Sequence, residues 1–282
     1  MHLFVTGATG FVGSNFLLAA FRNGHTVTAL RRPGSQTRLE ISDRVRWIDA
    51  ALDADLSHAF HDVDCVVHLA AHTPNPPYAP LDECLYWNVV ASSRLVQAAA
   101  AAGVSNFLIA GTCFEYGAGA EGQDFIHPGS ELRPTLTYPI SKAAASIALL
   151  GLARHLGLKM QVLRIFQVFG EGEAQTRFWP SLRLAAREGH DFPMSSGIQI
   201  RDFVNVSEVA QRFIDALDFH GVEAGRPHTR NIGSGKAASL IEFAQGWWTA
   251  WDAKGRLQPG SLGLRPGEVS RLVPNITDTH IG

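Results

Sequence analysis

Seven residues near the start of the chain constrain the fold more than any others. Gly7-Ala8-Thr9-Gly10-Phe11-Val12-Gly13 follows a short apolar run at 3–6 and leads directly into an amphipathic stretch at 14–23 that stops at Gly24. Glycines in such a turn let the backbone bend sharply and come close to a pyrophosphate. The N-terminus of the helix behind them offers free N–H groups and a dipole that favours an anion. A glycine pattern alone is common. Placed between the first strand and the first helix of an alternating chain, it reads as a dinucleotide site.

The alternation continues. Apolar strands are predicted at 26–30, 45–48, 65–69, 106–110 and 160–166, with helical stretches between them, the longest at 81–102 and 138–155. Continuously apolar strands separated by helices indicate a parallel sheet covered on both faces. Right-handed crossovers then give a doubly wound α/β (Rossmann) fold whose ligand crevice lies at the carboxyl ends of the strands. The pattern breaks after Gly170. The expected organisation is a dinucleotide-binding domain at 1–170, with 200–236 returning to it, the segments 203–206 and 231–233 in its sheet. Residues 171–199 and 237–282, richer in Gly, Pro, Arg and Trp, form a smaller C-terminal substrate-binding lobe. No repeat or low-complexity linker interrupts the 282 residues.

Composition narrows the function classes. With 46% apolar residues the chain can bury a sizeable core. A formal net charge of −2, without a basic tail, argues against nucleic acid as a partner. The three cysteines, Cys65, Cys84 and Cys113, show no CxxC spacing, which points to a reducing compartment. The twelve histidines are scattered without metal-ligand spacing, so no metal is expected. No leader precedes the first strand, and the alanine-rich stretch at 97–102 is too short to span a bilayer. A cytoplasmic protein with no membrane partner is the expectation.

Tyr138-Pro139-Ile140-Ser141-Lys142 places a phenol and an ammonium four residues apart, on one face of a helix. Pro139 is tolerated only in a first turn, so Tyr138 should stand at the helix start, near the strand ends. A free phenol has a pKa of about 10; an adjacent cation that lowered it by about 3 units would supply roughly 4 kcal/mol of differential stabilisation. That pairing suits proton transfer.

With these motifs in place, Thr6 to Gly13 resembles the opening of the extended short-chain dehydrogenases/reductases of the nucleotide-sugar branch, whose spacing is GxxGxxG. The resemblance extends to about residue 275. It implies that Gly7, Thr9, Gly10, Phe11, Val12 and Gly13 bind the cofactor. The second strand ends Arg31-Arg32 where an acidic residue would favour NAD. Two guanidinium groups suit a 2′-phosphate, so NADP(H) is favoured, with NAD(H) possible. Asp49 and Ala50 resemble the adenine edge. Leu69, Ala70 and Ala71 match the segment beneath the nicotinamide ribose, with His68 structural, and Asn88 helps fix that region. Phe166 and Val168 lie in the loop that meets the carboxamide.

The resemblance further implies a catalytic set of Thr112, Tyr138 and Lys142. Tyr138 would move the proton, Thr112 orient the oxygen, and Lys142 tune the phenol and hold the ribose. Ala110 and Gly111 replace serines often seen before Thr112, and Cys113 reads as packing. Thr73, Thr112, Phe114, Glu115, Gln167, Arg201 and Arg265 are expected at the substrate. Glu115 is either a substrate contact or an accessory acid/base. Gln167 stands where the family often has Asn. Arg201, in Arg201-Asp202-Phe203-Val204-Asn205-Val206, and Arg265 resemble the pair that grips a substrate diphosphate. Asn231-Ile232-Gly233-Ser234-Gly235 is a further family landmark.

The implied partner is a nucleotide-diphosphate sugar. The implied reaction is NADP-dependent reduction of a 4-keto-6-deoxy sugar, with an NAD-dependent 4-epimerase as the alternative. A 4,6-dehydratase fits less well, because Cys113 and Phe114 stand where that branch pairs two acidic residues. A small-ketone reductase leaves Arg201 and Arg265 unexplained, and a non-catalytic sensor has no use for all three of Thr112, Tyr138 and Lys142. The helices at 81–102 and 138–155, with small residues at 98–102 and 143–145, resemble the pair that forms a four-helix homodimer interface.

Overall fold

Six strands in the first 165 residues form most of one sheet; five are buried over most of their length between helices, and the third in chain order is the partly exposed edge. They are β1 (His2–Thr6), β2 (Thr26–Arg31), β3 (Val45–Asp49), β4 (Cys65–His68), β5 (Asn106–Thr112) and β6 (Lys159–Ile165). The computed structural model describes residues 1–41, 44–264 and 269–276. A later strand, β10 (His228–Ile232), joins these six to make a seven-stranded parallel sheet in the order β10-β6-β5-β4-β1-β2-β3. The order reverses between β1 and β4, which opens a crevice above their carboxyl ends.

Alternate residues of β1 feed two cores. Leu3 and Val5 pack with Phe16 and Leu17 of α1 (Phe11–Arg22) and with Val209 and Phe213 of α6 (Val206–Asp215). Phe4 packs on the other face with Leu95 and Ala99 of α3 (Ser92–Ala101) and Leu149 of α4 (Thr137–Leu156). The predicted helix over 81–102 is a continuous run with a defect: α2 (Leu81–Leu85), a π-helical turn at Tyr86–Ala91, then α3. Such turns gather at functional sites, and this one holds Asn88.

The predicted return of 203–206 to the main sheet is not what forms. Strand β9 (Ile200–Asn205) pairs with β7 (Gln167–Phe169), β11 (Ala237–Ser239) and β13 (Arg271–Leu272) in a separate four-stranded sheet. The reason is chemical. A strand buried on both faces is almost continuously apolar, whereas β9 carries Arg201 and Asp202 side by side, both buried. The Asp202 carboxylate needs donors and finds them in the turn before β11, from the backbone N–H groups of Ser234 and Lys236 at 2.8 and 3.1 Å. The chain rejoins the main domain at α6, and Asn231 and Ile232 lie in the main sheet as expected. The rest of the smaller lobe is α5 (Phe178–Glu188), α7 (Leu240–Ala250) and the two-stranded pair of β8 (Phe192–Met194) with β12 (Leu257–Pro259).

Candidate active site

The glycine loop lies at the reversal of strand order. Gly7 has φ +70, and a Cβ there would stand 2.5 Å from the backbone of Leu69 and Ala70 at the end of β4. Gly13 is required for a different contact: a Cβ would meet the Gly7 carbonyl oxygen at 2.1 Å. Leu69 and Ala70 are held in turn by Thr6, whose carbonyl and hydroxyl accept their N–H groups at 3.1 and 3.3 Å. Gly10 caps α1 without a side chain to occupy the first-turn N–H groups, and no acidic residue follows it there. A close backbone cradle and an uncapped helix start fit a dinucleotide pyrophosphate, with Thr9, Phe11 and Val12 half-buried around it.

At the far side of this crevice, β2 and β3 end in register at Arg31 and Asp49. Two bonds join them, Nε to Oδ1 at 2.7 Å and Nη2 to Oδ2 at 3.2 Å, and the guanidinium lies 5.0 Å from the Trp47 ring. The hydrogen bonds from Arg31 hold the Asp49 carboxyl below its ordinary range. Of the two arginines predicted for a 2′-phosphate, Arg31 is thus already engaged, while Arg32 is exposed; Ala50 follows, its N–H bonded to the Arg31 carbonyl.

His68 is structural, as expected. Its ring bridges the Thr6 hydroxyl at 2.7 Å and the Ser92 hydroxyl at 2.9 Å, and burial pushes its pKa down to about 3. Asn88 accepts the His72 N–H at 2.8 Å and donates to the Ser141 hydroxyl at 2.9 Å. It therefore ties the segment after β4 to the helix that carries Tyr138. Ala71 lies exposed beside this tie.

Thr112, Tyr138 and Lys142 stand at the end of β5 and the start of α4, all buried. The Thr112 hydroxyl accepts a long bond from the Phe114 N–H at 3.4 Å, so its own proton remains available. One proton of the Lys142 ammonium goes to the Ala110 carbonyl at 2.8 Å. Burial lowers the Lys142 pKa, opposed by the charge of Glu115. The Tyr138 phenol is displaced upward, by burial first and then by the charge of Glu115. A phenol displaced upward is protonated near neutral pH, the form that can donate a proton.

The family model for "NAD dependent epimerase/dehydratase family" matches residues 3–233, the span that contains every one of these groups. The chain belongs to that family. Within this epimerase/dehydratase family it is 28% identical to the UDP-glucose 4-epimerase of Corynebacterium glutamicum over 276 residues, covering 87% of this chain and 79% of that protein. It is 30% identical to the dTDP-glucose 4,6-dehydratase of Streptomyces griseus over 258 residues, covering 86% and 76%. Among solved structures, MoeE5 in complex with UDP-glucuronic acid and NAD superposes with a TM-score of 0.83 at 28% identity, covering 98% of this chain and 90% of that one. The chain is accordingly an enzyme with the NAD-dependent oxidoreductase-type chemistry of the family.

Several residues expected at the substrate of an epimerase/dehydratase family enzyme have other work. Glu115 is fully buried. Its carboxylate accepts from the Thr112 N–H, the Ser146 hydroxyl and Arg164 Nε, each at 2.8 Å. With those donors around it, the carboxylate has no exposed surface. The same pair explains Gly111 in place of a serine: a Cβ there would lie 2.8 Å from both Arg164 Cγ and Glu115 Oε1. Burial raises the Cys113 thiol to about 12, in keeping with a packing role. The Thr73 hydroxyl accepts the Ala79 N–H at 3.3 Å, and Thr73 itself has φ +45, so it closes a loop.

Arg201 is buried on β9 with one nitrogen donating to the Ile200 carbonyl at 2.8 Å. Phe114 and Gln167 are half-buried, and Phe166 and Val168 flank Gln167 at the β6–β7 junction. Arg265 lies outside the described residues. Sequence reasoning missed two groups, Arg164 and Tyr78. Arg164 had a signal, a charge inside an otherwise apolar strand. Tyr78 had none, because its partner is Tyr138, sixty residues away.

Proposed function

We propose that this chain reduces the 4-keto group of a nucleotide-activated 4-keto-6-deoxy sugar, using NADPH. The observation that carries the reading is the buried trio of Thr112, Tyr138 and Lys142, gathered at the end of β5 and the start of α4. Reduction of a carbonyl consumes a proton at oxygen, and a protonated Tyr138 is the acid that reaction needs. The Thr112 hydroxyl, already accepting from Phe114, donates to the same oxygen and fixes its direction. Lys142 keeps two protons beyond the one given to Ala110, which suits a ribose. When bound in the glycine cradle, the reduced nicotinamide supplies the hydride. Arg201 is the diphosphate contact expected from the family, and Arg32 is the guanidinium left for a 2′-phosphate.

A 4-epimerase using NAD is the second reading. It is favoured by the Arg31–Asp49 pair, which spends one of the two positive charges on a carboxylate, and by the similarity to a UDP-glucose 4-epimerase. The test is the absorbance of reduced nicotinamide with NADPH or NADH and a 4-keto-6-deoxy nucleotide sugar. Consumption of NADPH in preference to NADH supports the reductase. No net consumption, with NAD released on denaturation, supports the epimerase.

We further propose a homodimer formed by the run α2–α3 and by α4. Val90 and Ile147 on these helices are 39% and 64% exposed, a pattern that pairing would cover. A monomeric mass at micromolar concentration would count against it. No helix among the described residues is long and apolar enough to cross a membrane, and we assign the enzyme to the cytoplasm, where nucleotide sugars and reduced cofactor would be available.

A further inference from the structure

The segment between β4 and α2 folds back over the start of α4. Its apex, residues 74–77, is exposed, while both ends are tied down. At one end the His72 N–H is held by Asn88. Asn88 holds Ser141, whose hydroxyl donates to the Tyr138 carbonyl at 2.8 Å. At the other end the Thr137 hydroxyl donates to the Ala79 carbonyl at 2.9 Å, and the Ala79 N–H returns to Thr73. These ties run through Thr73, His72, Asn88 and Ala79, and they bring one ring down on the reacting group. The Tyr78 and Tyr138 rings lie 5.5 Å apart between centroids, inclined by 32°. Tyr138 is left 6% exposed.

We propose that Tyr78 is a positioning residue for the catalytic phenol: its ring is the wall that keeps water from Tyr138 and fixes the direction in which Tyr138 points. The proposal rests on the reading of Tyr138 as the proton donor. An aromatic wall suits this position because a flat ring excludes water from one face of the phenol. Water exclusion bears on the chemistry, since burial is the largest cause of the upward displacement of the Tyr138 phenol. The other groups that bear on it are Glu115 and Cys113 from the end of β5, Cys84 from α2, Tyr78 itself, and the Lys142 ammonium one turn along α4. Of these, Tyr78 comes from the segment whose apex at residues 74–77 is exposed.

Two measurements on the full chain test this. The chain has four tyrosines, so ultraviolet titration of tyrosinate is tractable. The Tyr138 step is assigned by the difference from Tyr138→Phe made in each background. In the parent and in Tyr78→Phe, Tyr138 is expected to stay protonated up to the alkaline unfolding transition. In Tyr78→Ala it is expected to ionise within the folded baseline, at least a unit lower than in Tyr78→Phe. In turnover of a 4-keto-6-deoxy nucleotide sugar, Tyr78→Phe should retain kcat, while Tyr78→Ala should lose roughly tenfold or more, as misaimed groups do.

A Tyr78→Ala protein that titrates and turns over like the parent overturns the proposal. Should Tyr78→Ala fold poorly by circular dichroism, Tyr78→Leu replaces it, and a leucine variant that matches Tyr78→Phe in both measurements overturns the need for a ring. If the titration shifts as expected while even the parent reduces no keto sugar, the proposed reaction fails and the coupling of Tyr78 to Tyr138 stands.

Discussion

Arg164 Nε meets Glu115 Oε2 at 2.8 Å with the two side chains 4% and 0% exposed, directly behind Thr112. The carboxylate also holds the Thr112 N–H, so one buried ion pair sets the backbone on which the proposed oxygen-orienting hydroxyl sits. Removing one member leaves the other charged and unpaired, which costs about 3–5 kcal/mol. Glu115→Gln is therefore expected to lower the urea midpoint sharply. An apolar double replacement, Glu115→Leu with Arg164→Met, should recover much of that loss. A double variant no more stable than the single one would show that the pair is worth more than its desolvation.

Two buried phenols give the fold an alkaline limit. Burial pushes Tyr116 up to about 12, and Tyr138 is displaced in the same direction. In the unfolded chain both titrate near 10. Above that pH the unfolded state gives up these protons first and binds fewer, so stability falls as pH rises, by about 1.4 kcal/mol per pH unit for each phenol. Below it both states hold their protons and the contribution is constant. Tyr116→Phe also removes bonds to Asn231 and Arg164, so its midpoint is lower throughout. Its slope of stability against pH, between about pH 9 and about pH 11, should nonetheless be shallower than the parent's. An unchanged slope would mean that Tyr116 does not titrate with the fold.

How much of this was legible in the sequence depended on the range of the contact. The main sheet was readable because its central strands β1, β2, β4 and β5 are largely apolar runs next to helices, and the glycine loop because Gly7 and Gly13 answer contacts within a few residues or at the next strand end. Strand β9 was misassigned. Its adjacent Arg201 and Asp202 belong to a family landmark, although two neighbouring charges are unsuited to a doubly covered sheet. The chemistry of Tyr138 was half legible. The helix spacing gave the pairing with Lys142, but the burial of the phenol, and its neighbours Tyr78 and Glu115, come only from the fold. Glu115 looked available because nothing local shows that Arg164, on the neighbouring strand, claims it.

Glu173 predicts a pH trend of the same sign at the acidic end. Its side chain is 6% exposed, Oε2 has no hydrogen-bond partner, and Arg177 stands 3.6 Å from the other oxygen. Burial raises its carboxyl to about 7, against the pull of Arg177. An unfolded glutamate titrates near about 4.3. Between those values the unfolded chain loses the proton first, so the stability present at low pH is lost as pH rises toward 7. Glu173→Gln should flatten that decline and stabilise the fold at neutral pH, by on the order of 2 kcal/mol. Thermal melts of both proteins across this window decide the matter; parallel curves would remove Glu173 as the source.

Cofactor choice can be separated into its two arginines. Arg31 is committed to Asp49, whose carboxylate would also repel a 2′-phosphate, whereas Arg32 is exposed beside the same crevice. If NADPH is the working cofactor, Arg32→Ala should raise its KM by about tenfold, the scale of one lost charge-assisted bond. The KM for NADH should move little, because it carries no phosphate there. Asp49→Asn should act in the opposite sense. Losing the carboxylate removes a repulsion and frees Arg31 to turn toward the phosphate, so NADPH should bind more tightly and NADH no better. Stopped-flow fluorescence of bound reduced cofactor reads both affinities directly. Equal effects on NADPH and NADH in both variants would assign the strand end to structure and make NAD the cofactor, which is the outcome the epimerase reading requires.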